Sequence, residues 1–194
     1  NGLNGDKVAY NLLKIMKDQI LVVLDPLGER HKPLNNYFHS DFLSIYNFVL
    51  LAKVKRKKVQ INNLEILKEI DTELGLLVPC QKLVNQFFQF VEIFENWIKR
   101  ITPRVIFVNC YFSLKHQALV YAAKKNNVIT AELQHGIISK AQTAYFPVKN
   151  MGKQTFPDYL LCFGEVEKYQ ISPHFMSQEK IIPTGNFYLE YMMD

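Results

Sequence analysis

The chain is poor in the patterns that would name a chemistry outright. It has three cysteines in 194 residues, Cys80, Cys110 and Cys162, and none belongs to a C-x-x-C pair. No zinc pattern exists, and scattered thiols with apolar neighbours read as buried cysteines of a reducing compartment. Only eight glycines are present. They form neither G-x-G-x-x-G nor G-x-x-x-x-G-K-[ST], so a standard dinucleotide or P-loop site is not supported. There is no G-x-S-x-G elbow, and the serines lack evident triad partners. No run reaches the ~18 apolar residues needed to span a bilayer, and no secretory leader is recognisable. Internal repeats and low-complexity segments are also absent.

What is present describes an ordinary globular chain. Hydrophobic residues make up 48% and charged residues 21%, enough for one domain with a sizeable core and unlike a disordered chain. Aromatics reach 13%; most should fill the core, and some could stack on a sugar or a base. The net charge of +5 is too small to demand nucleic acid, and no such partner is expected. Most of it traces to Lys53, Lys55, Arg56, Lys57 and Lys58. Such a run is usually the solvated end of a helix, where cations complement the dipole, and it also suits an anionic lipid surface or polyanion. Reduced thiols suggest the cytoplasm, with the lysine run available for peripheral contact with the inner membrane face. The chain begins at Asn1 rather than Met and stops at Tyr191-Met192-Met193-Asp194, so a piece of a longer protein is expected.

The pattern along the chain alternates strands and helices. Ile20 to Leu24 reads as a strand buried on both faces, followed by the turn residues Asp25-Pro26-Leu27-Gly28. Asp41 to Ala52 reads as a helix capped by Asp41 or Ser40, and part of Gln60 to Gly75 as another. Pro79 to Arg100 is the clearest helix. Val84, Phe87, Phe88, Val91, Phe94, Ile98 and Ile101 make its apolar stripe, and Pro103 blocks continuation. Arg104 to Asn109 is a strand, Ser113 caps a helix to about Lys125, and Val128 to Leu133 is the next strand. Those three form a βαβ crossover with parallel strands. Asp158 to Phe163 is a strand followed by a short helix from Gly164 to Ser172. Lys180 to Pro183 is a last strand, and Thr184-Gly185-Asn186 opens what reads as a further helix. The whole predicts an α/β fold with a mainly parallel sheet flanked by helices.

Ligands of open parallel sheets bind at the carboxyl ends of the strands. The residues following the predicted strands are Asp25, Asn109, Gln134 with His135, Gly164 with Glu165, and Thr184 with Gly185. Polar groups and glycines therefore gather on the edge where binding is expected. His135 can serve as a general base, donate a hydrogen bond to a phosphate, or be an ordinary loop histidine. Glu132 could orient it or act as an acid or base itself, and Gly136 would let the backbone turn sharply and a ligand approach. His31 and His39 fall in a predicted polar loop. His116 and His174 fall on predicted helices, and all four read as surface groups.

Several segments recur in an order that resembles a known family. They are Ile129 to Gly136, Tyr145-Phe146-Pro147, Phe156 to Glu165, and Lys180 to Asn186. Together they resemble bacterial GT-B glycosyltransferases of surface-polysaccharide assembly, the capsule and O-antigen transferases and the teichoic-acid glycerophosphotransferases. The likeness covers about Arg104 to Asn186. Gln134 replaces an aromatic found before the histidine in the teichoic-acid pattern, which departs from that branch. The resemblance implies a Rossmann-like lobe over 1–186, with 187–194 leading toward a carboxy-terminal lobe that carries the nucleotide-binding residues. It further implies transfer of a sugar from a nucleotide-activated donor to a cell-surface glycan or lipid-linked acceptor. His135 and Glu132 would be catalytic, with Asp25, Asn109, Gln134, Gly136, Gly164, Glu165 and Gly185 near substrate. No metal and no cofactor beyond the nucleotide sugar are implied. The related alternatives are a nucleotide-sugar epimerase or hydrolase of the same fold, or a basic module that binds an anionic polymer or membrane without catalysis.

Overall fold

A computed structural model describes residues 58–186, together with two short strands at Val22–Val23 (β1) and Phe38–His39 (β2). β1 and β2 pair in parallel. His39 thus belongs to a strand, where the sequence predicted a loop. The strand expected at Ile20 to Leu24 is present in its centre. Asp25, His31, the helix expected at Asp41 to Ala52, and Lys53 to Lys57 lie outside the described residues.

The principal sheet has four strands, Val105–Val108 (β3), Ile129–Leu133 (β4), Tyr159–Cys162 (β5) and Ile181–Pro183 (β6), in the order β3-β4-β5-β6. Every pairing is parallel. The α/β, Rossmann-like reading therefore holds here, and the sheet is wholly rather than mainly parallel among the described residues. β4 lies between two partners and is buried from Thr130 to Leu133, as expected of a strand covered on both faces.

Among the described residues four α-helices accompany the sheet: α1 (Leu64–Glu73), α2 (Cys80–Ile101), α3 (Leu114–Lys125) and α4 (Glu165–Gln170). α2 packs along α3, α3 against β4, and α4 against β5 and β6. The buried face of α2 is Val91, Ile93, Phe94, Trp97 and Ile98. Phe88 and Ile101, assigned to the stripe by spacing, are exposed, while Ile93 and Trp97, which the stripe left out, are buried. Each large side chain withdrawn there contributes ~1.5–3 kcal/mol. α2 ends at Ile101, with Thr102 as its left-handed C-cap before Pro103. α3 starts as predicted, Ser113 Oγ accepting from the His116 amide at 3.2 Å. It stops at Asn126-Asn127, and Asn127 takes the left-handed conformation that asparagine tolerates. His174 sits in a turn rather than on a helix. Among the described residues no helix is long and apolar enough to cross a membrane.

Candidate functional site

Register brings the site together. Val108 pairs with Glu132, and Leu133 with Leu161, so β3, β4 and β5 end nearly level. The residues just beyond them, Asn109 to Phe112, Gln134 to Gly136 and Phe163 to Glu165, share the carboxyl edge. That is where parallel-sheet ligands bind.

Glu132 is the buried member, at 0% exposure. Its Oε1 accepts from the Tyr111 amide at 3.0 Å and the Tyr145 hydroxyl at 2.9 Å. Its Oε2 has no hydrogen-bond partner among the described residues. Burial pushes the carboxyl up and the two donors pull it down, leaving it at about 7. Burial also raises Tyr145 and Tyr111 beyond the usual phenol range, and the Glu132 charge adds to it. Both phenols therefore keep their hydrogens. Tyr111 gives its own to the Ala144 carbonyl at 2.5 Å. The two tyrosines thus bind the turn after β3 to the long segment after β4. Their rings meet edge to face, with Phe156 and Phe175 packed against Tyr111. Glu132 does not orient His135 directly, as spacing allowed; it organises the floor beneath.

His135 is the solvent-facing member. Its Nε2 lies 2.9 Å from Cys110 Sγ. Cys110 is half-buried and has φ 54°, a left-handed conformation unusual for a non-glycine residue. Its carbonyl accepts from the Ser113 amide at 3.1 Å and meets His116 Nδ1 at 3.2 Å. Burial and the Glu132 charge push the thiol up. His116 is half-buried and its basicity is lowered by burial, against the pull of the Cys110 carbonyl, and further by the charges of Lys115 and His135. Phe112, 44% exposed, stands with its ring 6.4 Å from the His135 ring.

The other predicted residues fall around this centre in different ways. Gln134 is 2% exposed, and both ends of its amide are engaged. Nε2 donates to the Gly136 carbonyl at 2.8 Å, and Oε1 accepts from the Phe163 amide at 2.7 Å. It ties the His135 turn to the end of β5. Gly136 adopts no positive φ, and a Cβ there would meet nothing within 4 Å. The turn does not need its conformational freedom, contrary to the sequence expectation; what glycine leaves is open space beside His135. Asn109 is half-buried at the end of β3. Gly164 precedes α4, and the exposed Glu165 begins it with Lys168 at 4.0 Å. Gly185 has φ +85° just beyond β6, where glycine is needed. Thr184 is anchored to the Cys162 carbonyl at 2.8 Å.

Cys110, Phe112, His116 and Tyr145 were not singled out as site residues by sequence. The position of Cys110 and Phe112 just past a predicted strand was the available signal. Tyr145 lies in one of the segments that carry the resemblance, but in an irregular stretch to which the sequence gives no role. No cluster of three or more His, Cys, Asp or Glu side chains able to hold a metal occurs among the described residues.

No protein-family model and no curated protein matches the chain. Among solved structures, the UDP-GlcNAc 2-epimerase from Neisseria meningitidis bound to UDP-GlcNAc is similar, with TM-score 0.42 and 13% identity, covering 75% of this chain and 43% of that one. The UDP-GlcNAc 2-epimerase from Methanocaldococcus jannaschii gives TM-score 0.41 and 18% identity over 66% of this chain and 38% of that one. The chain therefore spans less than half the length of either.

Proposed function

We propose that this chain is the acceptor-side lobe of an enzyme acting on nucleotide-activated sugars, with His135 meeting the substrate. The observation that carries the proposal is the pairing of exposed His135 with exposed Phe112 at the carboxyl edge of the sheet, 6.4 Å apart. An imidazole beside an aromatic face offers proton exchange or hydrogen bonding next to a surface on which a sugar ring can lie. Glu132 supports from below, because full burial keeps it from touching a ligand. The ordered segments from Ile129 to Asn186 favour transfer to a surface glycan or lipid-linked acceptor. A second lobe would hold the nucleotide, and no cofactor beyond the sugar donor is required. Lys53 to Lys58 would seat the protein on anionic lipid at the inner membrane face of the cytoplasm.

Incubating the full-length protein with UDP-GlcNAc, with and without a lipid-linked or oligosaccharide acceptor, tests the reading. Sugar transfer supports the glycosyltransferase form. An epimerised sugar without acceptor supports the second form, the reaction named for both solved neighbours. His135→Ala should lower turnover at least tenfold, since a placed proton-transfer group contributes ~10²–10⁴. Wild-type turnover in that variant would refute the role of His135.

A further inference from the structure

The Cys110–His135 contact has a consequence for the chemistry of the imidazole. The nitrogen at 2.9 Å from sulfur is Nε2. In a neutral imidazole one nitrogen donates and the other accepts, and the bond made by one sets the state of the other. A thiol that keeps its hydrogen donates it more readily than its sulfur accepts, which favours Nε2 as the acceptor and the ring hydrogen on Nδ1. Burial and the Glu132 charge favour the protonated thiol. The sulfur is also firmly placed. The left-handed backbone at Cys110 costs energy and persists only where its surroundings hold it. Here the Ser113 amide and His116 Nδ1 both engage its carbonyl.

The surroundings say what an Nδ1 hydrogen would meet. Lys115 and His135 both act on His116 as like charges, so three groups able to carry positive charge gather at this edge. α3 begins at Leu114, and the positive end of its dipole adds to them. The nearby negative group, Glu132, is buried beneath and engaged by two donors.

We infer that Cys110 is a positioning residue for His135: its thiol donates to Nε2 and fixes the Nδ1–H tautomer, making His135 a hydrogen-bond donor to a phosphate oxygen. This deepens the proposed function and rests on it for the identity of the ligand: the phosphate is that of a nucleotide sugar. It gives His135 the task of holding or protonating an anionic oxygen, in place of taking a proton from a hydroxyl.

Long-range ¹H–¹⁵N spectra of the ¹⁵N-histidine-labelled full-length protein, recorded above the ordinary imidazole pKa of about 6.5, read the tautomer directly. The expected spectrum has hydrogen on Nδ1 of His135. Cys110→Ala should return the ring to the Nε2–H form that free histidine favours in water, and Cys110→Ser should restore Nδ1–H through its hydroxyl. Titration with inorganic phosphate should move the Nδ1 resonance. His135→Asn, which sets an amide N–H near the Nδ1 position, should keep phosphate affinity within about threefold, while His135→Gln should lose about tenfold, the worth of one hydrogen bond to a charged group. A wild-type ring with hydrogen on Nε2, or a tautomer unmoved by Cys110→Ala, overturns the inference whether or not the enzyme turns over sugar. The expected tautomer with phosphate binding but no response to any nucleotide sugar sustains the inference for free phosphate and refutes the proposed substrate.

Discussion

Replacing Glu132 by glutamine should change how stability depends on pH. The carboxyl is fully buried, with Oε1 engaged by Tyr111 and Tyr145 and Oε2 unpartnered among the described residues. Burial dominates and raises it from 4.5 to about 7. A carboxyl that binds its proton more tightly when folded supports the fold fully below its unfolded pKa. That support disappears as pH climbs from 4.5 through about 7. Across the window the loss is ~3 kcal/mol, a large share of the 5–15 kcal/mol typical of a domain. Glu132→Gln keeps an oxygen for both donors and cannot ionise, but places an amide hydrogen where Oε2 lay, at a cost of about 1–3 kcal/mol. Wild type should therefore be the more stable protein at about pH 5, and the gap should close or reverse by about pH 8. Urea unfolding followed by circular dichroism at the two pH values measures this. Parallel stability curves for wild type and variant would refute a protonated, buried Glu132.

Four further outcomes follow from the same geometry. Tyr145→Phe removes one of the two donors that hold Glu132 down. The fall in stability with rising pH should therefore steepen, with a loss of about 1 kcal/mol near neutrality in the same unfolding assay. Gln134→Ala strands the buried-edge amide of Phe163 and frees the Gly136 carbonyl; it should cost about 1–3 kcal/mol and loosen the His135 turn, seen as faster amide exchange at Gly136 and Phe163. Gly185→Ala should destabilise by about 1 kcal/mol because of its φ of +85°. Gly136→Ala, with negative φ and open space around the added carbon, should unfold like wild type. Any loss of activity in Gly136→Ala would then report ligand approach rather than folding.

Local patterns carried most of the fold. The three-and-four spacing around Val91, Phe94 and Ile98 marked α2, and Pro103 marked its end. Ser113 marked the start of α3. Short apolar runs marked β3 to β6, because a strand covered on both faces must be apolar throughout. Parallel connectivity then pointed to the carboxyl edge, and His135 was legible there as a polar residue just past a strand. The spacing of α2 placed Val91, Phe94 and Ile98 correctly but left out the buried Ile93 and Trp97 and included the exposed Phe88 and Ile101, since how far the covered face extends depends on the neighbours that meet it.

Chain order determined which elements form and which edge gathers polar residues; packing alone decided how those residues divide their work. Cys110 and His135 are 25 positions apart, and no local pattern links them. They meet because Val108 pairs with Glu132 and both strands end level. By sequence Glu132 is a group three residues before His135 that could orient it or act as an acid or base. Being central in the sheet buries it completely, and a tyrosine 13 residues away claims its oxygen. Gln134, a ligand contact by position, has one donor and its oxygen engaged by Gly136 and Phe163. Hydrogen-bond capacity is a property of the side chain, but whether any is left for a ligand depends on register and burial, which arise only when distant segments pack.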